Sequence, residues 1–269
     1  MNKKKVEALI KTALNEDVLT EKEKQVLYKS VKAMGISLDE FEMVIDAWLA
    51  KFRMKEKIVK AKNGSAFVDL GLSVKWATCN VGASKPEEYG DYFAWGETEP
   101  KSTYEWKNYK HCYGVRMYKN FCYDGFKFIK YCFMTPYGHN KYCDDLDILE
   151  PCDDVVSVNY GKNFRMPTEF EMRELARGCK HEMTDLNGVN GCLITGPNGN
   201  SIFLPAAGRY DQNELKDAGS DGCYWSSSFV EPPDEPGWAY GLSFRQKSDI
   251  DTYRSLRNVG RSVRPVCDK

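Results

Sequence analysis

The hydrophobic pattern of this chain changes period once, near residue 65, and that change divides it into two kinds of structure. Before it, apolar residues keep helical spacing. Val6, Leu9, Ile10, Ala13 and Leu14 mark one stripe, and Val26, Leu27, Val31 and Met34 a second. Phe41, Val44, Ile45, Trp48, Leu49 and Phe52 mark a third, with neighbours at i+3 and i+4 throughout. Thr20 with Glu23 and Ser37 with Glu40 form capping boxes for the helices that follow them, and Gly35 can close the middle helix in a left-handed turn. Residues 1–62 are therefore read as a three-helix module. So short a module buries little surface alone and is expected to dock or to form homo-oligomers. The basic stretch from Lys51 to Lys62 reads as a solvated helix end and linker, and Asn63-Gly64-Ser65 as the domain boundary.

From residue 66 the pattern becomes short strands and turns. Ala66–Leu70 and Lys75–Thr78 alternate as strands do, and Pro86-Glu87-Glu88 can open a short helix. Thr168 with Glu171 is a third capping box, predicting a helix that runs to Gly178. Gly196-Pro197-Asn198-Gly199 joins two strands as a hairpin turn, and the stretches 224–228, 239–244 and 261–266 read as closing strands. One longer helix among many short strands predicts an α+β domain over residues 66–267.

Net charge −1 and a sequence pI near 6.4 argue against a general nucleic-acid binder, which would carry a basic face. No apolar run approaches the roughly 20 residues that span a bilayer. The lysine-led start, MNKKKVEALIKTALNEDVLT, lacks the apolar core of a secretory signal, which predicts a chain that is cytoplasmic as synthesised. The ten cysteines are then expected to be free thiols.

Several ordered motifs carry a resemblance. Phe67-Val68-Asp69-Leu70-Gly71-Leu72 leads into Trp76-Ala77-Thr78-Cys79-Asn80-Val81-Gly82-Ala83, followed by Pro86-Glu87-Glu88-Tyr89-Gly90-Asp91-Tyr92-Phe93-Ala94-Trp95-Gly96-Glu97-Thr98. Arg165-Met166-Pro167-Thr168, Leu204-Pro205-Ala206-Ala207-Gly208, Tyr224-Trp225-Ser226-Ser227-Ser228 and Gly260-Arg261-Ser262-Val263-Arg264-Pro265-Val266 complete the series. Over residues 66–267 the chain resembles the Fibrobacter succinogenes major paralogous domain family, common in gut Bacteroidetes. That resemblance implies a C-type-lectin-like fold of the formylglycine-generating-enzyme type. Some relatives are target proteins of diversity-generating retroelements, in which the segment between the tryptophan strand and the last strand varies and binds ligand. It therefore implies a non-catalytic, receptor-like protein, either phage-associated or displayed at a surface by an unconventional route. The alternatives are a degenerate formylglycine-generating-type oxidase and an oligomeric scaffold carrying lectin-like heads.

The residues argue against catalysis and against a metal. The related oxidase holds copper with a close cysteine pair near its C-terminus, whereas Cys223 and Cys267 lie 44 positions apart here. Cys112, Cys122, Cys132, Cys143 and Cys152, with His111 and His139, suggest zinc, but no two of these cysteines are closer than nine residues, and structural zinc favours close pairs. Glu231-Pro232-Pro233-Asp234 lacks the second half of a calcium-dependent sugar site and reads as a proline-stiffened loop. Asp144, Asp145, Asp147, Asp153 and Asp154 read as a solvated acidic loop. No cofactor, catalytic group or metal ligand is predicted. A protein or glycan ligand is expected to meet an exposed surface made of Phe229, Val230, Asp249, Asp251, Tyr253, Ser255, Leu256 and Asn258, a mixture that suits recognition. Trp76, Trp95, Trp225 and Val263 are expected in the core.

Overall fold

The chain divides into two compact units, Met1–Lys57 and Ile58–Lys269. A computed structural model describes residues 59–60, 66–114, 116–117, 123–124, 127–230, 237–245 and 248–269. The three helices expected over residues 1–62 lie outside the described residues. One correction concerns the end of that module. Val59–Lys60 form a short strand paired antiparallel with Ala66–Asp69, so the β-rich unit takes in part of the stretch read as helix end and linker.

In chain order the strands are β1 (Val59–Lys60), β2 (Ala66–Asp69), β3 (Lys75–Ala77), β4 (Cys112–Tyr113), β5 (Arg116–Met117), β6 (Tyr123–Asp124), β7 (Lys127–Phe128) and β8 (Phe164–Arg165). After them come β9 (Lys180–Leu186), β10 (Val189–Thr195), β11 (Ser201–Pro205), β12 (Arg209–Asp211) and β13 (Glu214–Lys216). The last four are β14 (Asp221–Phe229), β15 (Trp238–Arg245), β16 (Ser248–Leu256) and β17 (Val266–Cys267). The α-helices among the described residues are α1 (Val155–Tyr160) and α2 (Glu169–Gly178). Pro86-Glu87 forms a turn and opens no helix.

Three antiparallel sheets organise the domain. The first has the order β1-β2-β3-β17-β8, which places Val266, near the chain end, between Trp76 and Arg165. The second is the meander β9-β10-β11 and the third the meander β14-β15-β16. Helix α2 begins as its sequence predicts: Thr168 Oγ1 accepts from the Glu171 amide at 3.3 Å, and Glu171 Oε2 accepts from the Thr168 amide at 2.7 Å. Its Met172, Leu175 and Ala176 share one buried cluster with Leu242, Phe244 and Ile250 of the third sheet and with Trp76 and Val266 of the first. A second cluster holds Phe67, Trp95, Trp225, Phe229 and Val263. The four residues expected in the core, Trp76, Trp95, Trp225 and Val263, are all buried.

Candidate ligand surface

Strand β16 is the edge of the third sheet, and its two faces differ. Ile250 is buried against the α2 side, and Thr252 Oγ1 there donates to Glu169 Oε1 at 3.1 Å. On the opposite face the side chains pass from exposed Asp251 through half-buried Tyr253 to buried Ser255. Tyr253 stands opposite Gly241, which stands opposite Trp225, so the two rings flank a glycine across three strands. A Cβ on Gly241 would lie 2.4 Å from the Tyr224 carbonyl oxygen, so the position tolerates no side chain.

Arg261 lies across this ladder. Its guanidinium carbon is 4.8 Å from the Trp225 ring centroid and 4.6 Å from that of Tyr253, and Nη2 donates to Ser255 Oγ at 2.7 Å. Two further arginines are sealed into the same stretch. Arg264 donates from each of its three nitrogens: Nε to Asn80 Oδ1, Nη1 to the Ala77 carbonyl and Nη2 to the Phe203 carbonyl, at 2.9, 3.0 and 2.9 Å. Arg257 sits 3.9 Å over Phe128, within reach of Trp95, Tyr109 and Phe229, and donates Nη1 to the Tyr131 carbonyl. In contrast to Arg264, Arg261 has Nε and Nη1 buried with no partner, as is the hydroxyl of Tyr253. Burial pushes the Arg261 guanidinium down to about 10, still charged at neutral pH.

Of the eight residues expected to be exposed, four are buried: Phe229, Val230, Ser255 and Asn258. For Phe229 the cause is that β14 continues through it, four residues after Trp225 and on the same face. The register with β15 shifts between Trp225 and Phe229, and the Phe229 amide donates to the Asp147 carbonyl at 2.7 Å. Its ring packs on Trp95, Phe133 and Arg257. Ser255 accepts from Arg261, and Asn258 Nδ2 donates to the Tyr104 carbonyl at 3.1 Å. Val230 follows Phe229 into the interior. Asp251 is exposed, Tyr253 and Leu256 are half-buried, and the side chain of Asp249 lies outside the described residues. The buried arginines were missed by sequence reasoning. The available signal was Gly260-Arg261-Ser262-Val263-Arg264, where arginines interleave with apolar and small residues and no acid is adjacent.

Elsewhere the acidic loop is less solvated than expected. Asp153 and Asp154 are buried; Asp154 caps α1, accepting from the Val156 and Ser157 amides. Asp144 accepts from the amides of Tyr131 and Cys132. Ligand atoms of Glu150, Cys152 and Asp153 lie within 4.8 Å of one another, as a metal would require. The Lys130 ammonium already stands among them, bonded to Asp153 at 2.5 Å and to Glu150, and 3.9 Å from Cys152 Sγ. Nine cysteines are free thiols among the described residues. His111 Nε2 bonds the Gly96 carbonyl and lies 3.8 Å from Asp153, and its ring packs edge-on against Tyr109 and Tyr131. A cleft of about 360 Å³ between the β9–β10 hairpin and the turn at Gly219-Ser220 has one titratable lining residue, Asp185. No described helix is long and apolar enough to cross a membrane.

The described fold and site define a class: a β-rich domain with two α-helices and an aromatic–arginine stack beneath one edge strand. No family model, curated protein or solved structure matches this chain.

Proposed function

We propose that this chain is a non-catalytic ligand-binding protein whose β-rich unit is a C-type-lectin-like domain of the formylglycine-generating-enzyme type. The ligand is a protein or a glycan and meets the outer face of β16. Asp251 and Tyr253 make contact there, with Asp249 and Leu256 beside them; Ser255, Asn258, Phe229 and Val230 support the surface from below. The observation that carries this reading is the gradient along β16, from exposed Asp251 to a base clamped by Ser255, Arg261 and Trp225. A binding strand backed by a rigid framework loses little entropy when it engages. The lectin-like reading is supported by the pairing of β3 with β17, which ties the two ends of the domain together, and by one ten-residue helix packed on a C-terminal meander. Diversification by a retroelement belongs to the same proposal. It requires a reverse-transcriptase gene nearby and a near-copy of the 3′ end of this one.

The test is a triple variant, Asp249→Ala, Asp251→Ala and Tyr253→Ala, compared with the parent on arrays of purified glycans and bacterial surface proteins. Any ligand bound by the parent should bind the variant at least about tenfold more weakly, a loss of about 1.4 kcal/mol. Undiminished binding by the folded variant, or copper-dependent oxidation of a substrate cysteine by the parent, counts against the proposal.

A further inference from the structure

We propose that Arg261 is a built anchor for a carboxylate, held by the guanidinium with help from the Tyr253 hydroxyl. The inference rests on β16 being the ligand surface, and it names the chemistry which that surface recognises.

A buried guanidinium is expected to use its donors, because each polar group taken from water without a partner is destabilising. Arg264 and Arg165 follow that rule. Arg264 donates to one amide oxygen and two carbonyls, and Arg165 grips Glu171 with two bonds of 2.8 and 2.6 Å. Arg261 is only 4% exposed, yet its one hydrogen bond goes to a neutral hydroxyl, and Nε and Nη1 have none. Among the described residues no acid pairs with it. Arg209 adds a second cation nearby but is itself paired with Asp217, and burial raises the Cys223 thiol, keeping it neutral. The Tyr253 hydroxyl, on the ring the guanidinium stacks against, is a third buried group without a partner. An arginine placed this way is a liability in the free protein and an asset once an anion arrives.

The chemistry of the site selects the anion. The Trp225 and Tyr253 ring centroids lie 4.8 and 4.6 Å from the guanidinium carbon, and Nε, Nη1 and the Tyr253 hydroxyl are closed to solvent, so a ligand meets the planar edge by entering this stack. A carboxylate matches that edge in plane and matches the single uncompensated charge. A phosphate dianion would bring a second negative charge into a place where the nearby cation among the described residues, Arg209, is already paired with Asp217. The carboxylate has two sources, a free small acid or an acidic side chain of a peptide.

The experiment uses the full, isotope-labelled chain and follows the Arg261 Nε–H resonance by heteronuclear magnetic resonance, with the assignment made by its loss in Arg261→Lys. Sodium acetate and a blocked Gly-Asp-Gly peptide are titrated separately against sodium chloride of equal ionic strength, with inorganic phosphate as a third arm. A saturable shift with acetate or with the peptide, absent with chloride and weaker with phosphate, is expected; response to acetate alone assigns a free acid, and response to both assigns an acidic peptide. In Arg261→Met the thermal midpoint in chloride should equal or exceed that of the parent, and the stabilisation by carboxylate should vanish. No saturable shift with either carboxylate overturns the proposal, as does an equal response to chloride. A folded Arg261→Met with a clearly lowered midpoint also overturns it, because the arginine then serves the fold. If that variant does not fold, the titration of the parent decides alone. Failure here while the β16 triple variant still loses its ligand removes the anchor and leaves the surface; a saturable carboxylate response with an unaffected triple variant does the reverse.

Discussion

His111 is almost sealed from solvent, and its Nε2–H donates to the Gly96 carbonyl at 2.9 Å. Burial pushes its imidazole from an ordinary 6.5 down to about 4, so the ring is neutral in the folded domain wherever an unfolded chain would begin to protonate it. The unfolded state therefore binds more protons between those values, and stability falls as pH drops from 6.5 to 4, by about 3 kcal/mol across the window. Asp153 adds a second loss at lower pH. Burial alone would raise its carboxyl, but the Lys110 and Lys130 ammoniums and the Tyr131 hydroxyl bring it to about 2. Its contribution is complete above 3.8 and disappears as pH falls toward 2. Denaturant unfolding from pH 7 to 4 should show the first slope, and His111→Phe should flatten it; an unchanged slope in that variant would assign the loss to other groups. Single residues such as these were poorly legible in the sequence. The histidines and cysteines of 111–152 were noticed as metal-ligand types. The ammonium partners of Asp153, Lys110 and Lys130, lie 43 and 23 positions from it. Only folding brings those charges together.

At the scale of an element, α2 was legible because its start is written in adjacent residues. Thr168 and Glu171 exchange hydrogen bonds with each other's amides, and Glu171 also takes both bonds from Arg165. Thr168→Ala should destabilise by about 1 kcal/mol, the usual loss of an N-cap. Glu171→Ala should do more, about 1–3 kcal/mol, since it also removes two bonds from the half-buried Arg165 guanidinium, which keeps Asp268. The double variant should lose less than the sum, because the two residues share one box. Chemical denaturation of the four proteins measures this, and strict additivity would mean that the box is not a unit. By contrast, the shift in β14 had no readable mark. Ser226-Ser227-Ser228 looks like any small polar stretch, and its path is decided by the distant carbonyls of Pro167 and Asp147 and by Ser262. The strand runs on through Phe229, whose even spacing from Trp225 puts it on the same face, so an expected surface residue joins the interior with Val230 after it.

The whole molecule was legible as a change of period, while its long-range pairing was not. The β2–β3 hairpin meets β17 across nearly two hundred residues, and local alternation cannot specify such a partner. The same limit moved the domain boundary. Asn63-Gly64-Ser65 has the composition of a linker, yet Val59 and Lys60, on its N-terminal side, pair with Phe67 and Ala66. Limited proteolysis should therefore leave a resistant fragment that begins at or before Ile58. A recombinant 58–269 fragment should unfold cooperatively at the same midpoint as the β-rich unit in the full chain. A 66–269 fragment should fold but be weaker. It loses a two-residue ladder worth about 1–2 kcal/mol, and it leaves β2 as an open edge prone to pair with other copies. Thermal unfolding of the two fragments, with light scattering for association, tests the boundary. Equal midpoints and equal dispersity would show that β1 adds nothing and that the domain begins at residue 66, where the period of the sequence changes.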